Sequence, residues 1–484
     1  MPRRGRRLTA LVVLLCASPL GCEREQSAAP PREEPVPTVT AAETAAAEED
    51  RPSVLLLVAD TLRADRLPIY GFAWGKTPTL DRLAAKAVVF ERAVAASAAT
   101  VPSHASLFTS RFVRQHSVGY SNGDTRLADE ETLAEHFRKA GYETAGFISN
   151  VMLNTFTGLD RGFELYDDRL PKRELNRPLF FERDAPQTTR RAIRWLRQAG
   201  DAPVFLLVHY QDPHGPYTPP KAALRAIRAP KSGDEPALAV NETQSGYEGI
   251  PAYQALEGLD RPSQYESRYV GEILFMDRWL KKLLRAFEAH RPGAGHIVLF
   301  TSDHGESFGE EDHWFSHGHT SMPDLAHVPF LLRAPGLAPG RFDTPVSHVD
   351  VMPTLLELAG LPVPDDAAGI ALGPYLRDGR DLPERELYCD LGTEAAVYDA
   401  EGFTRVRFPD PPAADRGDLG EARVERYRWL ADGTWARSSE PAAVSGEAAA
   451  YLANVKPPRP VGDAPEPDHV ERLRALGYIE PADD

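Results

Sequence analysis

The residues best suited to chemistry begin with Thr100, in the stretch Ala99-Thr100-Val101-Pro102-Ser103-His104-Ala105-Ser106-Leu107-Phe108-Thr109-Ser110-Arg111. Proline has no N–H to lose in a first helical turn and its φ is already helical, so Pro102 predicts a helix from about 102 to 108 that begins just after Thr100. The free N–H groups and positive dipole end of such a helix would point at the Thr100 hydroxyl, where a sulfate or phosphate group is at home. The same pattern also fits an ordinary capped helix, because Ser and Thr are common caps.

Carboxylates supply the second half of a site. Asp60 follows the apolar run Val54-Leu55-Leu56-Leu57-Val58-Ala59, and Asp303-His304 closely follows His296-Ile297-Val298-Leu299-Phe300-Thr301. Both runs predict buried parallel strands, and ligands of open α/β sheets bind at the carboxyl ends of such strands. Asp60, Asp303, His304 and the Thr100 hydroxyl would make an oxygen-rich divalent-cation site with one nitrogen ligand. His209, Asp212 and His214 end a third apolar run and are also ordinary hydrogen-bond partners in a turn. His313, His317 and His319 fall within seven residues. Without helix or strand spacing to fix them, they predict a loop that donates one histidine rather than a separate zinc centre.

With these residues in hand, the chain resembles the sulfatase branch of the alkaline phosphatase superfamily. The landmarks are Val58 to Asp65, Thr100 to Arg111, Asp212-Pro213-His214-Gly215-Pro216-Tyr217, Thr301-Ser302-Asp303-His304-Gly305-Glu306 and Val349 to Leu356, in the family's order across residues 53–362. The resemblance implies Asp60, Thr100, Asp303 and His304 as metal ligands and Thr100, His214 and His317 as catalytic residues. His214 would face the substrate or leaving group, and His317 would bind the transferring group or protonate the leaving oxygen. His104, Asn150 and His319 would contact substrate. Sulfatases of this kind carry Cys or Ser in C/S-x-P-x-R and oxidise it to formylglycine. Here that position is Thr100, and His104 replaces the arginine. Oxidised threonine would be a ketone, so Thr100 attacks as itself, as in phosphodiesterase and phosphoethanolamine transferase branches. Two sulfate-binding lysines also look replaced, by Asn150 and Ser316.

The elements that must position these groups form an α/β chain. Thr77-Pro78 predicts a capped helix start, Glu131–Ala140 a helix ended by Gly141, and Thr144–Ser149 a strand. The repeat recurs as a helix over 187–198 and a strand over 204–209. Residues 223–262 read as an inserted surface excursion that shapes the pocket. Tyr265–Phe287 reads as a long amphipathic helix and 350–361 as another helix. The expectation is a mostly parallel central sheet with helices on both faces. Beyond 376, strands near 396–398, 404–408 and 426–430 and a closing helix over 469–478 predict a small antiparallel C-terminal sheet.

The chain has 484 residues, of which 42% are hydrophobic, enough for a large core. Residues 1–22 carry four arginines, an apolar run and Pro19-Leu20-Gly21-Cys22, which resembles a lipobox; this predicts an export signal with Cys22 lipidated, or else cleavage and secretion to the periplasm or beyond. Residues 23–50 hold no aromatic residue and predict a tether of roughly 30 Å reach. The expected organisation is therefore signal 1–22, tether 23–50, catalytic domain 51–375 and C-terminal subdomain 376–484. Loss of the four arginines would take the net charge from −16 to about −20, which argues against nucleic acid and against flat binding to anionic lipid. The membrane would be met only through the lipid anchor. Cys389 is left without an intramolecular partner, so disulfides do not hold the fold.

The resulting expectation is a metal-dependent hydrolase of sulfate or phosphate-type esters on a small-molecule, glycan or lipid substrate, with phosphodiesters or phosphonates favoured over sulfates. One divalent ion (Ca, Mg, Mn or Zn) is expected, and a second at Asp212, His214 and His317 or His319 is ranked below it. The alternatives are a phosphoethanolamine-type transferase, or a tethered binding protein that kept the fold after losing catalysis.

Overall fold

In the computed structural model, β1 (Ser53–Ala59) is buried at every residue, because parallel neighbours flank it and helices cover both faces. Val54, Leu56 and Val58 enter one core, and Leu55, Leu57 and Ala59 the other. The described residues are 51–454 apart from 120–125, 128, 230–234, 411–412, 415–416 and 431–433. The expected signal, tether and closing helix over 469–478 lie outside them.

In chain order the strands are β1, β2 (Val88–Val94), β3 (Glu143–Phe147), β4 (Leu165–Asp167), a short ribbon of β5 (Lys172–Arg173) with β6 (Phe181–Glu182), then β7 (Val204–Tyr210), β8 (His296–Ser302), β9 (His327–Arg333), β10 (Gly340–Phe342) and β11 (Val346–Ser347). The main sheet runs β10-β2-β9-β8-β1-β7-β3-β4, with β11 also on β2. Five adjacent strands, β8-β1-β7-β3-β4, are mutually parallel, and β9 is antiparallel to both neighbours. The expected mostly parallel sheet is what forms.

Helices α1 (Pro78–Ala84), α2 (Thr100–Thr109), α3 (Leu133–Lys139), α4 (Ala185–Leu196), α5 (Pro262–Ala289) and α6 (Val351–Leu358) cover the two faces. Residues of α2, α3 and α6 pack into the first core, and those of α1, α4 and α5 into the second. The start of α1 differs from expectation in one detail. Thr77 occupies the cap position, but its hydroxyl donates to Asp81; the N–H groups of Thr79 and Leu80 are instead received by Asp277 of α5, at 3.0 and 2.9 Å. A cap supplied from 197 positions away has no local signal.

The C-terminal sheet orders β12 (Leu387–Asp390), β13 (Glu394–Tyr398), β14 (Gly402–Arg407), β15 (Arg423–Trp429) and β16 (Trp435–Arg437), all antiparallel. Its inner face shares a core with Ala96, Ala98, Phe112, Met322 and Val349, and with α7 (Gly446–Ala453). The described part of the 223–262 excursion is not all surface. Ile250 and Tyr253 are buried, and the Tyr253 hydroxyl and the Gln254 amide both donate to the Phe315 carbonyl. Gly215 is required here, since a Cβ would lie 2.0 Å from the Gln254 side chain. The excursion thus braces the loop that carries the histidine cluster. Among the described residues, no helix is long and apolar enough to cross a membrane.

Candidate active site

Asp60, Asp303 and His304 meet because β1 and β8 are adjacent and in register, Ala59 opposite Ser302. The chain turns sharply after Asp60, with Thr61 at φ 57°, a conformation unfavourable for a β-branched residue. Neighbours hold that turn. Thr61 N–H donates to Asp303 Oδ1 (3.1 Å), Leu62 N–H to Ser302 Oγ (2.7 Å), and the Tyr269 hydroxyl of α5 to the Thr61 carbonyl (2.7 Å).

Thr100 is the first residue of α2, whose ten residues are all buried, and not a residue just ahead of it as the proline suggested. Its Oγ1 lies 3.3 Å from His304 Nε2. His304 Nδ1 is 3.0 Å from the Gly305 carbonyl, which assigns the proton to Nδ1 and leaves Nε2 to accept from the threonine. Ser103, one turn along α2, donates to the Asp303 carbonyl at 2.6 Å and ties the helix to the end of β8.

The carboxylates are aimed inward and incompletely paired. Asp303 Oδ1 accepts from Thr61 and His304 N–H groups, whereas Oδ2 is buried with no partner, 3.6 Å from His304 Nε2. Asp60 Oδ2 accepts from Asn150 Nδ2 at 2.8 Å, and Oδ1 has no partner. Burial, then the charge of Asp60, pushes the Asp303 carboxyl well above its usual range. Burial also raises Asp60, but His214, His209 and His304 together outweigh it and hold that carboxyl well below. Burial presses the His304 and His214 imidazoles down to about 3. Two buried carboxylates with unpaired oxygens beside a neutral imidazole fit a divalent cation, which would relieve both the mutual repulsion and the missing partners. Asp60, Asp303 and His304 offer ligand atoms within 4.8 Å of one another.

The remaining predicted residues fall into three places. His214 and His317 line up with the centre, their rings 5.2 Å apart and His317 4.6 Å from His304. Asn150 and His104 are buried. Asn150 orients Asp60, and His104 Nδ1 donates to the Thr100 carbonyl at 2.8 Å. His319 stacks on His313 at 3.7 Å and meets the Ser307 hydroxyl at 3.2 Å, outside the Thr100 cluster. The lower-ranked second cation site does not assemble. Asp212 receives the Ala185 N–H at the start of α4 and sits against Glu272, and among the described residues it joins no converging ligand group with His214 or His317.

Two roles were not read from sequence. Glu306, fully buried, accepts from His317 Nδ1 at 3.0 Å and from the Tyr217 hydroxyl at 2.9 Å, so it sets the tautomer that turns His317 Nε2 away from it. His348 braces the Ser302 carbonyl at 2.9 Å. Glu306 stood within a recognised motif, and its spacing from His304 was the available signal; His348 had none.

A mostly parallel sheet that gathers the Thr100 hydroxyl, two buried carboxylates and an imidazole on its carboxyl rim is matched by ester hydrolases of the alkaline phosphatase superfamily. The sulfatase family profile matches residues 52–361. An arylsulfatase from Clostridium perfringens is 28% identical over 68% of this chain and 79% of its own. A multifunctional alkaline phosphatase superfamily protein from Trinickia caryophylli is 25% identical over 72% and 82%. The crystal structure of a phosphonate monoester hydrolase from Agrobacterium radiobacter superposes with TM-score 0.59 at 23% identity, covering 79% of this chain and 90% of that one. The chain belongs to the sulfatase family.

Proposed function

We propose that this protein hydrolyses singly charged esters, phosphodiesters or phosphonate monoesters ahead of sulfates, with unmodified Thr100 as nucleophile. The observation that carries the reading is the Thr100 hydroxyl at the start of α2, 3.3 Å from His304 Nε2 and next to two buried carboxylates with unpaired oxygens. Relatives of both kinds, an arylsulfatase and a multifunctional superfamily protein, are compatible with it.

Asp60, Asp303 and His304 would hold a divalent cation, which when bound supplies Lewis acidity that lowers the pKa of a neighbouring hydroxyl. Thr100 Oγ1, its proton released to water, attacks phosphorus or sulfur in line, forming the Oγ1 ester bond as the bond to the leaving oxygen breaks. The α2 dipole stabilises the charge on the equatorial oxygens. His317, entering as the imidazolium with its Nδ1–H on Glu306, gives its Nε2 proton to the leaving oxygen, then takes one at Nε2 from the water that cleaves the Thr100 ester. Asn150 keeps Asp60 in place. His104 stands where a sulfatase has arginine, and Asn150 and Ser316 near its lysines, so a dianionic monoester finds less permanent positive charge than a singly charged ester.

The test is a nitrophenyl panel of sulfate, phosphate, phosphodiester and phosphonate monoester with chelated and cation-reloaded enzyme. Diester or phosphonate turnover that needs the cation is expected. A panel in which only the sulfate turns over would sink the preference, and turnover unaffected by chelation would sink the cation. We further propose that the mature chain is held at the cell envelope by a lipid on Cys22, which the apolar segment 8–20 and the tether support.

A further inference from the structure

Two histidines of the cluster have no task in the reaction above. His104 lies one turn into α2 from Thr100, and His209 is the penultimate residue of β7. Both are fully buried, with ring centroids 5.1 Å apart. His104 Nδ1 donates to the Thr100 carbonyl, which leaves Nε2 as the lone-pair atom, and Nε2 has no partner. Neither ring nitrogen of His209 has one; its Nε2 stands 3.5 Å from Asp60 Oδ2 without hydrogen-bond alignment. Asp303 Oδ2, also unpartnered, is 3.9 Å from His104 Nδ1. Buried imidazole nitrogens and a carboxylate oxygen without partners are costly unless something is bound among them.

We propose that His104, His209 and Asp303 form a second divalent-cation position, joined to the Asp60–Asp303–His304 position through the shared Asp303 carboxylate. The three residues bring ligand-capable atoms within 4.8 Å of one another. Imidazole donors select zinc or another first-row ion over calcium or magnesium, whereas the oxygen-richer first position accepts harder ions. The Nδ1–H to carbonyl bond of His104 is the outer support that metal-bound imidazoles commonly have. The position also accounts for the exchange of a sulfatase's arginine for His104, because a permanent cation is replaced by a ligand for one. The inference rests on the proposed function only for the occupancy of the first position.

The test uses the full mature chain, stripped with chelator, reloaded with zinc alone and assayed for zinc per chain by mass spectrometry. Two zinc ions are expected in the wild type, one in the His104→Ala/His209→Ala variant, and one in Asp60→Asn/His304→Ala. A wild type that takes a single zinc overturns the inference, whichever variant loses it. Two zincs retained in the histidine variant also overturn it, by moving the second ion elsewhere. Cobalt-loaded wild type gives a reading that does not depend on the histidine variant folding. Two ions bridged by one carboxylate couple magnetically, so the second equivalent should alter the electron paramagnetic resonance signal of the first; simply additive signals would count against the shared ligand. None of these failures touches Thr100, whose role stands or falls on turnover by the Thr100→Ala variant.

Discussion

The Thr100 hydroxyl lies 3.3 Å from His304 Nε2 across a separation of 204 residues, a contact made by the start of a helix and the end of a strand. If that hydroxyl is the nucleophile, Thr100→Ala should abolish turnover with every ester, a loss of about 10⁴-fold or more by analogy with other nucleophile deletions. Thr100→Ser should keep a measurable rate. Intact-protein mass spectrometry should find residue 100 unmodified; an aldehyde adduct there would end the unmodified-threonine mechanism.

Asp303 and Asp60 repel each other in a buried site, and Asp303 is pushed up by burial first and by that repulsion second. Asp303→Asn keeps an oxygen for the Thr61 and His304 N–H groups and removes the repulsion. In chelator its melting temperature should equal or exceed the wild type's. Added divalent cation should raise the wild-type value and leave the variant's unchanged. A variant that still gains stability from the cation would remove Asp303 from the ligand set.

Glu306 acts through His317, so its removal should be read in the leaving group. Glu306→Gln should lower kcat/KM by about 10- to 100-fold for poor, alkyl leaving groups and far less for nitrophenolate, which departs without a proton. Equal losses for both would mean that Glu306 only supports the fold.

His348 is a neutral buried imidazole, lowered to about 4 from an ordinary 6.5 chiefly by burial, against the pull of the Ser302 carbonyl and Asp350. Its Nδ1 already accepts from the Ala96 N–H at 3.3 Å, so a second proton would break that bond and find only the neutral Ser103 hydroxyl, 2.9 Å away, in place of bulk water. The unfolded chain takes up that proton near 6.5 and the folded chain only near 4, so the folded state loses stability as pH falls between those values. The loss is on the order of 3 kcal/mol. His348→Gln should flatten the acid limb of stability measured by urea melts at pH 4.5–7; an unchanged slope would assign the acid sensitivity to other histidines.

Cys22→Ser should release the mature protein from membrane fractions if Cys22 carries the anchor. Wild-type protein found wholly in the soluble fraction would remove the anchor.

Much of the site was legible because its parts announce themselves locally. Asp60 and Asp303-His304 close apolar runs whose length and composition identify buried strands, and Pro102 marks a helix start beside Thr100. What was not legible is everything that depends on which strands become neighbours. Asn150 was expected to face substrate, and it holds Asp60 because β3 places it near the end of β1. Glu306 had no assigned part until the loop carrying His317 folded back over it.

The sequence by itself determined the family, the parallel sheet and the identity of the residues at the ends of its strands, since hydrophobic periodicity and motif order are properties of short segments. Tertiary structure alone decided pairings: Asp277 capping α1, Glu306 with His317, and His104 beside His209 and Asp303. These are contacts between elements whose separation along the chain carries no record of their distance in space. The unpaired nitrogens of His104 and His209 became visible only once every other partner had been placed.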